Sequence, residues 1–212
     1  MKKYEFTGEV KEIEMPHRTV TLHRIRATAA FGAVEDGTLG GWIEKEENLQ
    51  HEGKAWIYNN AKVYGDAKVW GNAEVWCNAE VYNNAKVCGD AEVWGNAEVY
   101  DSAEVWGNAK VYGDAKVWGN AEVYSNAEVW DANHVLVIGA VGSRYDFTTF
   151  YRDKENEITV RCGCFLGKID KFLEKVIKTH GDAKHARVYR AAAELAELQI
   201  DLSGKSPKEN EG

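Results

Sequence analysis

The sequence predicts a mainly β fold wound as a solenoid, and three features of residues 55–141 carry this prediction. A branched aliphatic residue recurs every six positions, without insertion, from Ile57 to Val141. Alanine stands two residues before it in each unit from Ala55 to Ala127. The units end in pairs such as Gly65-Asp66, whose residues tolerate positive φ and favour corners. A short fixed period of this kind is typical of repeat architectures.

Within each unit, the first four positions alternate in polarity with period two, which indicates a strand. Alanine and the aliphatic residue share one face, while a charged residue and an aromatic residue share the other. A helix is excluded, because period six does not keep one face at 3.6 residues per turn and the turn pairs would interrupt it. Short strands with two-residue corners are expected to wind into a coil whose turns stack ~4.8 Å apart. Each buried valine then contributes roughly 1.5–3 kcal/mol to the stack.

The repeat also resembles a known family. The unit Val69–Glu74 reads Val-Trp-Gly-Asn-Ala-Glu, and it resembles the hexapeptide repeat of left-handed parallel β-helix proteins. The resemblance implies a left-handed coil of triangular section, in which three units form one 18-residue turn. Residues 55–141 are then expected to form about five such coils.

The segments on either side of the repeat predict small flanking modules. Residues 1–54 are predicted to form an N-terminal β cap and an irregular first coil, with Ile43 and Leu49 in phase with the alanine position of the repeat. Residues 142–202 are predicted to form a ββαα module. Residues 203–212 are polar and are predicted to be a disordered tail. The second helix of the module is expected to pack through the apolar stripe Val188, Ala192, Leu195 and Leu198.

Aromatic residues are expected to line the outside of the solenoid as ladders, because residues three units apart stack on one face. Such ladders stabilise neighbouring coils by ~0.5–1.5 kcal/mol per pair, and the stems of flanking lysine and glutamate side chains can shield them. An exposed ladder is also typical of an interface. We predict a homo-oligomer, a dimer or a trimer, or a partner contact through the face carrying Tyr58, Trp76, Trp94, Tyr112 and Trp130.

Composition narrows the expected environment and partners. Asp and Glu outnumber Lys and Arg by 34 to 26, giving a net charge of -8, and no basic patch of the kind that binds nucleic acid is visible. Two of the four cysteines, Cys77 and Cys88, replace other residues within the repeat, so a secreted disulfide framework is not expected. No apolar run follows the first residues and none approaches a membrane span. A cytoplasmic protein with no nucleic-acid or membrane partner is therefore expected.

The candidate metal-ligating and ligand-binding residues follow the repeat in the sequence. Cys162 and Cys164 lie two apart and could bind zinc together with His180 or His185, but a lone C-x-C is weak and structural thiols are commoner. No catalytic residue, metal or cofactor is therefore predicted. The polar and aromatic segment that follows the coil is where a small anionic ligand is expected, through arginine contacts and aromatic stacking. The predicted ligand-binding residues are Arg144, Tyr145, Phe150, Arg152 and Arg161.

The flanking motifs extend the resemblance. Residues 39–44 (Leu-Gly-Gly-Trp-Ile-Glu), 162–165 (Cys-Gly-Cys-Phe) and 179–182 (Thr-His-Gly-Asp) resemble those of a group of hexapeptide-repeat proteins carried by bacteriophages and prophages. The group has no well-defined activity that the resemblance could transfer, but a phage origin favours, by analogy, interference with a host process. Because no catalytic motif is found, the preferred interpretation is a non-enzymatic binding protein of phage or prophage origin that acts in the host cytoplasm. It would sequester a small anionic, nucleotide-like signal or block a host protein.

Two alternatives are left open by the sequence. One is an acyltransferase, since the best-known enzymes with this repeat transfer acyl groups and place a general-base histidine on or near the coil. Residues 55–132 contain no histidine and His134 falls where the pattern fails, so an enzyme is not the preferred interpretation. The other alternative is a rigid structural or assembly element.

Overall fold

A computed structural model describes residues 2–204, and it shows a mainly β chain. A parallel β-solenoid of about five turns is followed by an antiparallel sheet and two helices. The strands before and at the start of the solenoid are β1 Tyr4–Met15, β2 Arg18–Ala27 and β3 Leu39–Ile43. The later sheet is formed by β17 Val135–Val141, β18 Asp146–Arg152, β19 Ile158–Cys162 and β20 Phe165–Lys168, and the helices are α1 Ile169–His180 and α2 Lys184–Gln199.

Thirteen two-residue strands form the regular coils: β4 Trp56–Ile57, β5 Lys62–Val63, β6 Lys68–Val69, β7 Glu74–Val75, β8 Glu80–Val81, β9 Lys86–Val87, β10 Glu92–Val93, β11 Glu98–Val99, β12 Glu104–Val105, β13 Lys110–Val111, β14 Lys116–Val117, β15 Glu122–Val123 and β16 Glu128–Val129. They pair in parallel with partners eighteen residues away, as in Val63 with Val81 and Val81 with Val99. Three sheets result, so the predicted three-unit coil is confirmed. Its left-handed winding stays a prediction.

The interior of the solenoid is filled by the two small apolar positions of the repeat. The repeat alanines from Ala55 to Ala121 and the aliphatic residues from Ile57 to Val129 are fully buried. Corners need positive φ, which glycine supplies at Gly71 (74°) and asparagine at Asn83 (59°). Asparagine side chains bridge successive coils at these corners, as between Asn72 and Asp90 at 2.8 Å.

The first coil is two residues longer than the others. Ile43 pairs with Val63 and Leu49 with Val69, so both occupy the aliphatic position and not the alanine position that the sequence suggested. The extra residues are absorbed before Ala55, where the N–H groups of Lys54 and Ala55 both donate to the carbonyl oxygen of Gly71, at 2.7 and 2.9 Å. A bulge of this type inserts residues without losing the register that follows.

The N-terminal cap is an antiparallel hairpin, formed by β1 and β2, that is joined to the solenoid through β3. Val20 and Leu22 of β2 pack on Tyr64 of the solenoid. Trp56 occupies an outward-facing position of the first unit, yet it is fully buried because Phe31 and Tyr4 cover its ring. The cap thus buries the surface that the first coil would expose.

The C-terminal module begins earlier than the sequence indicated and contains four strands instead of two. Residues 135–141 continue the hexad spacing, yet they form β17 of the antiparallel sheet β17-β18-β19-β20. Asn133 and Gly139 replace the interior alanines there, so the segment lacks the residue that a coil corner buries. The sheet has two packed faces: Tyr151 joins the solenoid core, and its neighbour Phe150 joins the core beneath the helices.

Helix α2 packs through small residues rather than through its leucines. Tyr189 and a group of alanines are buried against the sheet and α1. Leu195 and Leu198, which the sequence placed on the packed face, are 46% and 86% exposed. The placement of the two leucines is wrong, whereas that of Ala192 is confirmed, because the side chain of Tyr189 and the close approach allowed by alanine set the rotation of the helix. The buried alanines are Ala186, Ala192, Ala193 and Ala196.

The predicted disordered tail at 203–212 lies outside the described residues, apart from residues 203 and 204. Among residues 2–204, neither helix has the length and apolar character required to span a bilayer.

Candidate functional site

A cavity of about 160 Å³ lies within the C-terminal module. Four segments that are distant in sequence form its walls: the turn between β17 and β18, the turn between β19 and β20, the second half of α1, and α2. The ionisable side chains in its lining are Arg144, Asp146, Cys162, Cys164, Lys175, His180 and Tyr189. Two thiols, a carboxylate, an imidazole, a phenol and two cations therefore share one concave surface.

Glycines create the space for this arrangement. Gly142 has a φ of 72°, and a Cβ at this position would lie 1.8 Å from the hydroxyl oxygen of Tyr189. Gly163 has a φ of 56° and makes the tight turn in which Cys162 pairs with Phe165. Glycine at these two positions thus permits the close approach of Tyr189 and places Cys162 and Cys164 on one short turn.

Cys162 has hydroxyl neighbours. The Thr148 hydroxyl donates a hydrogen bond to Cys162 Sγ at 3.2 Å, and the sulfur lies 3.9 Å from the Tyr189 hydroxyl oxygen. Burial, followed by the proximity of Cys162, raises the pKa of Tyr189 above its usual value. Tyr189 therefore stays a neutral phenol at physiological pH, and its oxygen accepts a weak hydrogen bond from the Cys162 thiol.

His180 lies in the last turn of α1 and reaches the same cavity. Its ring stacks on Tyr189, with centroids 6.0 Å apart, and meets the ring of His185 edge-on at 6.1 Å. By contrast, His134 is 2% exposed, and burial lowers its pKa. His180, which is only partly buried, is thus a histidine that a bound ligand can reach.

Two cations border the cavity. Lys175 Nζ lies 5.6 Å from the centre of the Phe165 ring, and Arg144 Nη1 approaches the turn at Gly163. Both side chains are exposed and are free to turn towards an anionic ligand. Guanidinium and ammonium groups at a cavity rim favour phosphate or carboxylate groups.

A second, polar groove of about 300 Å³ runs between the solenoid and the module. It shares Asp146 and Gly163 with the cavity, so the two spaces adjoin. Its floor is formed by stacked side chains of successive coils, and Phe147 and Thr149 of β18 form its other wall. The floor residues are Asn84, Ser102 and Asn120 at the corner, and Lys86, Glu104 and Glu122 on the adjoining sheet.

The predicted ligand-binding residues do not lie together. Arg144 borders the cavity. The next residue, Tyr145, is 74% exposed and is not part of the cavity lining. Arg161 pairs with Glu122 at 2.5 Å and lies over the Tyr124 ring. Phe150 and Arg152 are buried, so neither presents a surface to a ligand.

Arg152 has a structural role instead. Its guanidinium lies 4.0 Å from the centre of the Trp130 ring, and it donates hydrogen bonds to the carbonyl oxygens of Asp201 (3.1 Å) and Gly204 (2.8 Å). It therefore holds the end of the described chain against the last coil. Lys175 and Tyr189 were missed as cavity residues because the sequence shows only helical spacing there, whereas His180 is predicted from the sequence only as a possible zinc ligand with Cys162 and Cys164.

The aromatic face predicted as an interface forms two runs of ring contacts, one of two rings and one of three. Neighbouring ring centroids are 5.0 Å apart for Tyr58 and Trp76, 4.2 Å for Trp94 and Tyr112, and 5.7 Å for Tyr112 and Trp130. Tyr112 is 3% exposed and Trp76 is 37% exposed, so Trp76 is the most accessible ring of this face. Self-association through this face stays a prediction.

On another sheet of the solenoid, Cys88 occupies the position that carries an aromatic residue in most units. The rings of Trp70 and Trp106, on the coils before and after it, close over the smaller side chain, with centroids 5.8 Å apart. Cys88 is consequently 4% exposed, and burial raises the pKa of its thiol to about 11.

In residues 2–204, no three His, Cys, Asp or Glu side chains are grouped in a way that would hold a metal ion. The chain matches no protein-family model. Over 63 residues, 28% of this chain, it is 36% identical to the uncharacterized acetyltransferase YdcK of Escherichia coli (strain K12). The match spans 19% of the length of that protein.

This match corrects the functional prediction. A relative named as an acetyltransferase contradicts the preferred interpretation, which was a non-enzymatic protein of phage origin acting against a host process, and it favours the acyltransferase alternative. The prediction that the chain is not an enzyme is contradicted in the same way. The six-residue repeat, the parallel solenoid and this match together fit a hexapeptide-repeat β-helix protein.

Proposed function

We propose that this protein is an acyltransferase, which moves an acyl group from a thioester donor of the acyl-coenzyme A type to a hydroxyl or amine acceptor. The observation that carries the proposal is the convergence of His180, Arg144 and Lys175 on one cavity. The name of the partial relative supports the same class of reaction. The resemblance to a phage-carried group stays a prediction and plays no part in this proposal.

His180 is the proposed general base. Acyl transfer to a hydroxyl or amine requires removal of a proton as the acceptor attacks the thioester carbonyl, and an imidazole is suited to this role near neutral pH. The ring of His180 is held against Tyr189, so its position within the cavity is restrained. A base that is held in place loses less entropy on reaching the reactive geometry.

The two cations are proposed to hold the phosphate groups of the donor. Arg144 and Lys175 approach the cavity from different segments, and their positive charges would pair with the phosphate groups of the donor. The acceptor is proposed to enter from the polar groove, because that groove meets the cavity at Asp146 and Gly163.

The proposal is tested by incubating the full chain with acetyl-coenzyme A and a panel of amines and sugar hydroxyls, while the free thiol released is measured. We expect acceptor-dependent thiol release that falls by about 10²-fold or more in His180→Ala. The matched control is His185→Ala, which removes the neighbouring histidine that does not line the cavity. Release that is equal in the two variants, or absent from the wild-type protein with every acceptor, would overturn the proposal.

Donor binding is tested separately by calorimetric titration with coenzyme A. Lys175→Ala is expected to weaken binding, whereas Lys178→Ala, on the same helix but outside the cavity lining, is expected to leave it unchanged. An equal effect of the two substitutions would place the phosphates elsewhere.

A further inference from the structure

We propose that α2 pairs antiparallel with α2 of a second copy of this chain, so that the protein is a two-fold dimer held through the C-terminal module. The pairing is independent of the proposed acyl transfer and lies apart from the aromatic faces of the solenoid. It uses the outer face of α2, which consists of five exposed residues that recur every three or four positions along one side of the helix. They are Arg187, Ala191, Glu194, Leu195 and Leu198.

Two leucines of the outer face are left outside the core of the module. Leu195 and Leu198 are exposed, because Tyr189 and the alanines on the opposite side of α2 already fill the contact with the sheet and α1. The last residues of the sequence, 205–212, contain no large apolar side chain that could cover them. Exposed leucines on adjacent turns of one helix are typical of a face that packs against another helix.

The charges of α2 are arranged against the preference of the helix itself. Basic residues occupy its first half, at Lys184, Arg187 and Arg190, whereas Glu194 and Glu197 occupy its second half. The helix dipole favours the opposite order, and α2 has no acid in its first turn and no base in its last turn. An antiparallel pair makes this order favourable, because the basic half of each helix then lies beside the acidic half of the other.

Arg187 and Glu194 are the charged residues that the pairing brings together. They lie about 10 Å apart along the axis of one helix, which is too far for them to pair with each other. Neither forms an ion pair within residues 2–204, whereas Arg190 pairs with Asp182 at 3.2 Å. The point midway between them falls at residues 190–191, so a two-fold axis there sets Arg187 of each copy opposite Glu194 of the other. Ala191 lies at this axis, and its small side chain permits a close approach of the two helices.

The same axis covers the leucines. Leu195 and Leu198 follow it by one and two turns, so in the dimer they lie over the first two turns of the other copy's α2. Those turns carry Val188, which is half-buried, and Lys184, whose aliphatic stem is suited to pack on a leucine. One arrangement therefore buries the exposed leucines and pairs the segregated charges.

The experiment uses the full chain and measures its mass in solution by sedimentation velocity, over about a hundredfold range of protein concentration. We expect the wild-type protein to form a species of twice the chain mass of 23.7 kDa. Arg187→Glu and Glu194→Arg each set like charges across the axis, so each variant is expected to lose the dimer. An equimolar mixture of the two variants restores complementary charges at both contacts and is expected to form a dimer again.

The matched control is Lys68→Glu, which reverses one exposed charge on the solenoid and is expected to keep the dimer. The melting temperatures of the variants show that they are folded, and the rescue in the mixture requires two folded chains. A wild-type protein that stays monomeric, or that forms a trimer, overturns the pairing. An oligomer that both single variants keep, or a mixture that stays monomeric, overturns it equally.

Discussion

The substitution Gly142→Ala tests the construction of the cavity. A Cβ at this position would lie 1.8 and 2.0 Å from Oη and Cζ of Tyr189, so the ring must move out of its site. Forcing extra volume into a packed region costs about 1–3 kcal/mol. The φ of 72° at Gly142 adds a backbone cost of about 1–2 kcal/mol for any residue with a Cβ.

Gly119→Ala is the matched control for the backbone cost. Gly119 has a φ of 65°, and nothing lies within 4 Å of a Cβ built there. In a domain of this size, 1 kcal/mol corresponds to a shift of about 2–4 °C in melting temperature. Scanning calorimetry should therefore show a fall of about 2–8 °C for Gly119→Ala and at least several degrees more for Gly142→Ala. Equal shifts would refute the placement of Tyr189 over Gly142.

Three further predictions concern the core, the thiols and a buried amine. Val99→Ala removes two methyl groups from the fully buried valine ladder and should lower the free energy of unfolding by about 2 kcal/mol in urea titration; a loss below about 0.5 kcal/mol would contradict a close-packed interior. Cys164 is exposed and should react with a thiol reagent at pH 8 far faster than Cys88, whose thiol is buried and has its pKa raised to about 11 by that burial. Peptide mass mapping identifies the labelled residue, and equal labelling of the two cysteines would contradict this order. Burial lowers the pKa of the Lys3 amine to about 8, below its unfolded value. The folded state therefore favours the neutral amine, and the stability that this gives is complete above the unfolded pKa and is lost as the amine becomes charged when the pH falls through about 8. The melting temperature of the wild-type protein relative to Lys3→Met should therefore rise between pH 7 and pH 9.5, and a falling difference would contradict the shift.

The solenoid could be predicted because its constraints are local. A narrow coil admits only small apolar side chains in its interior, so each unit repeats the same alanine and valine, and each corner needs a residue that tolerates positive φ. The end of the coil also follows from local sequence. The pattern decays at Asn133 and Gly139, and the coil ends there, although the spacing of the valines continued to suggest a further turn.

The cavity could not be predicted in the same way. Its residues come from the β17–β18 turn, the β19–β20 turn and two helices, and no spacing in the sequence brings Cys162 towards Tyr189. Cys162 and His180 were associated only by residue type, as possible zinc ligands. The rotation of α2 was misjudged because leucine weighs more than alanine in an apolar pattern, whereas close packing against the sheet selected the alanines and Tyr189. Arg152 was taken for a ligand contact because burial of an arginine by Trp130 and two main-chain carbonyls is a tertiary outcome.

The most direct measurement is hydrogen–deuterium exchange of the full chain with and without acetyl-coenzyme A. Donor binding at the proposed site predicts slower exchange in residues 142–146, 162–165 and 175–181, with the amides of the coils from β5 to β12 unchanged. Protection confined to the coils, or no change anywhere at saturating donor, would contradict an acyl-transfer site in the C-terminal module.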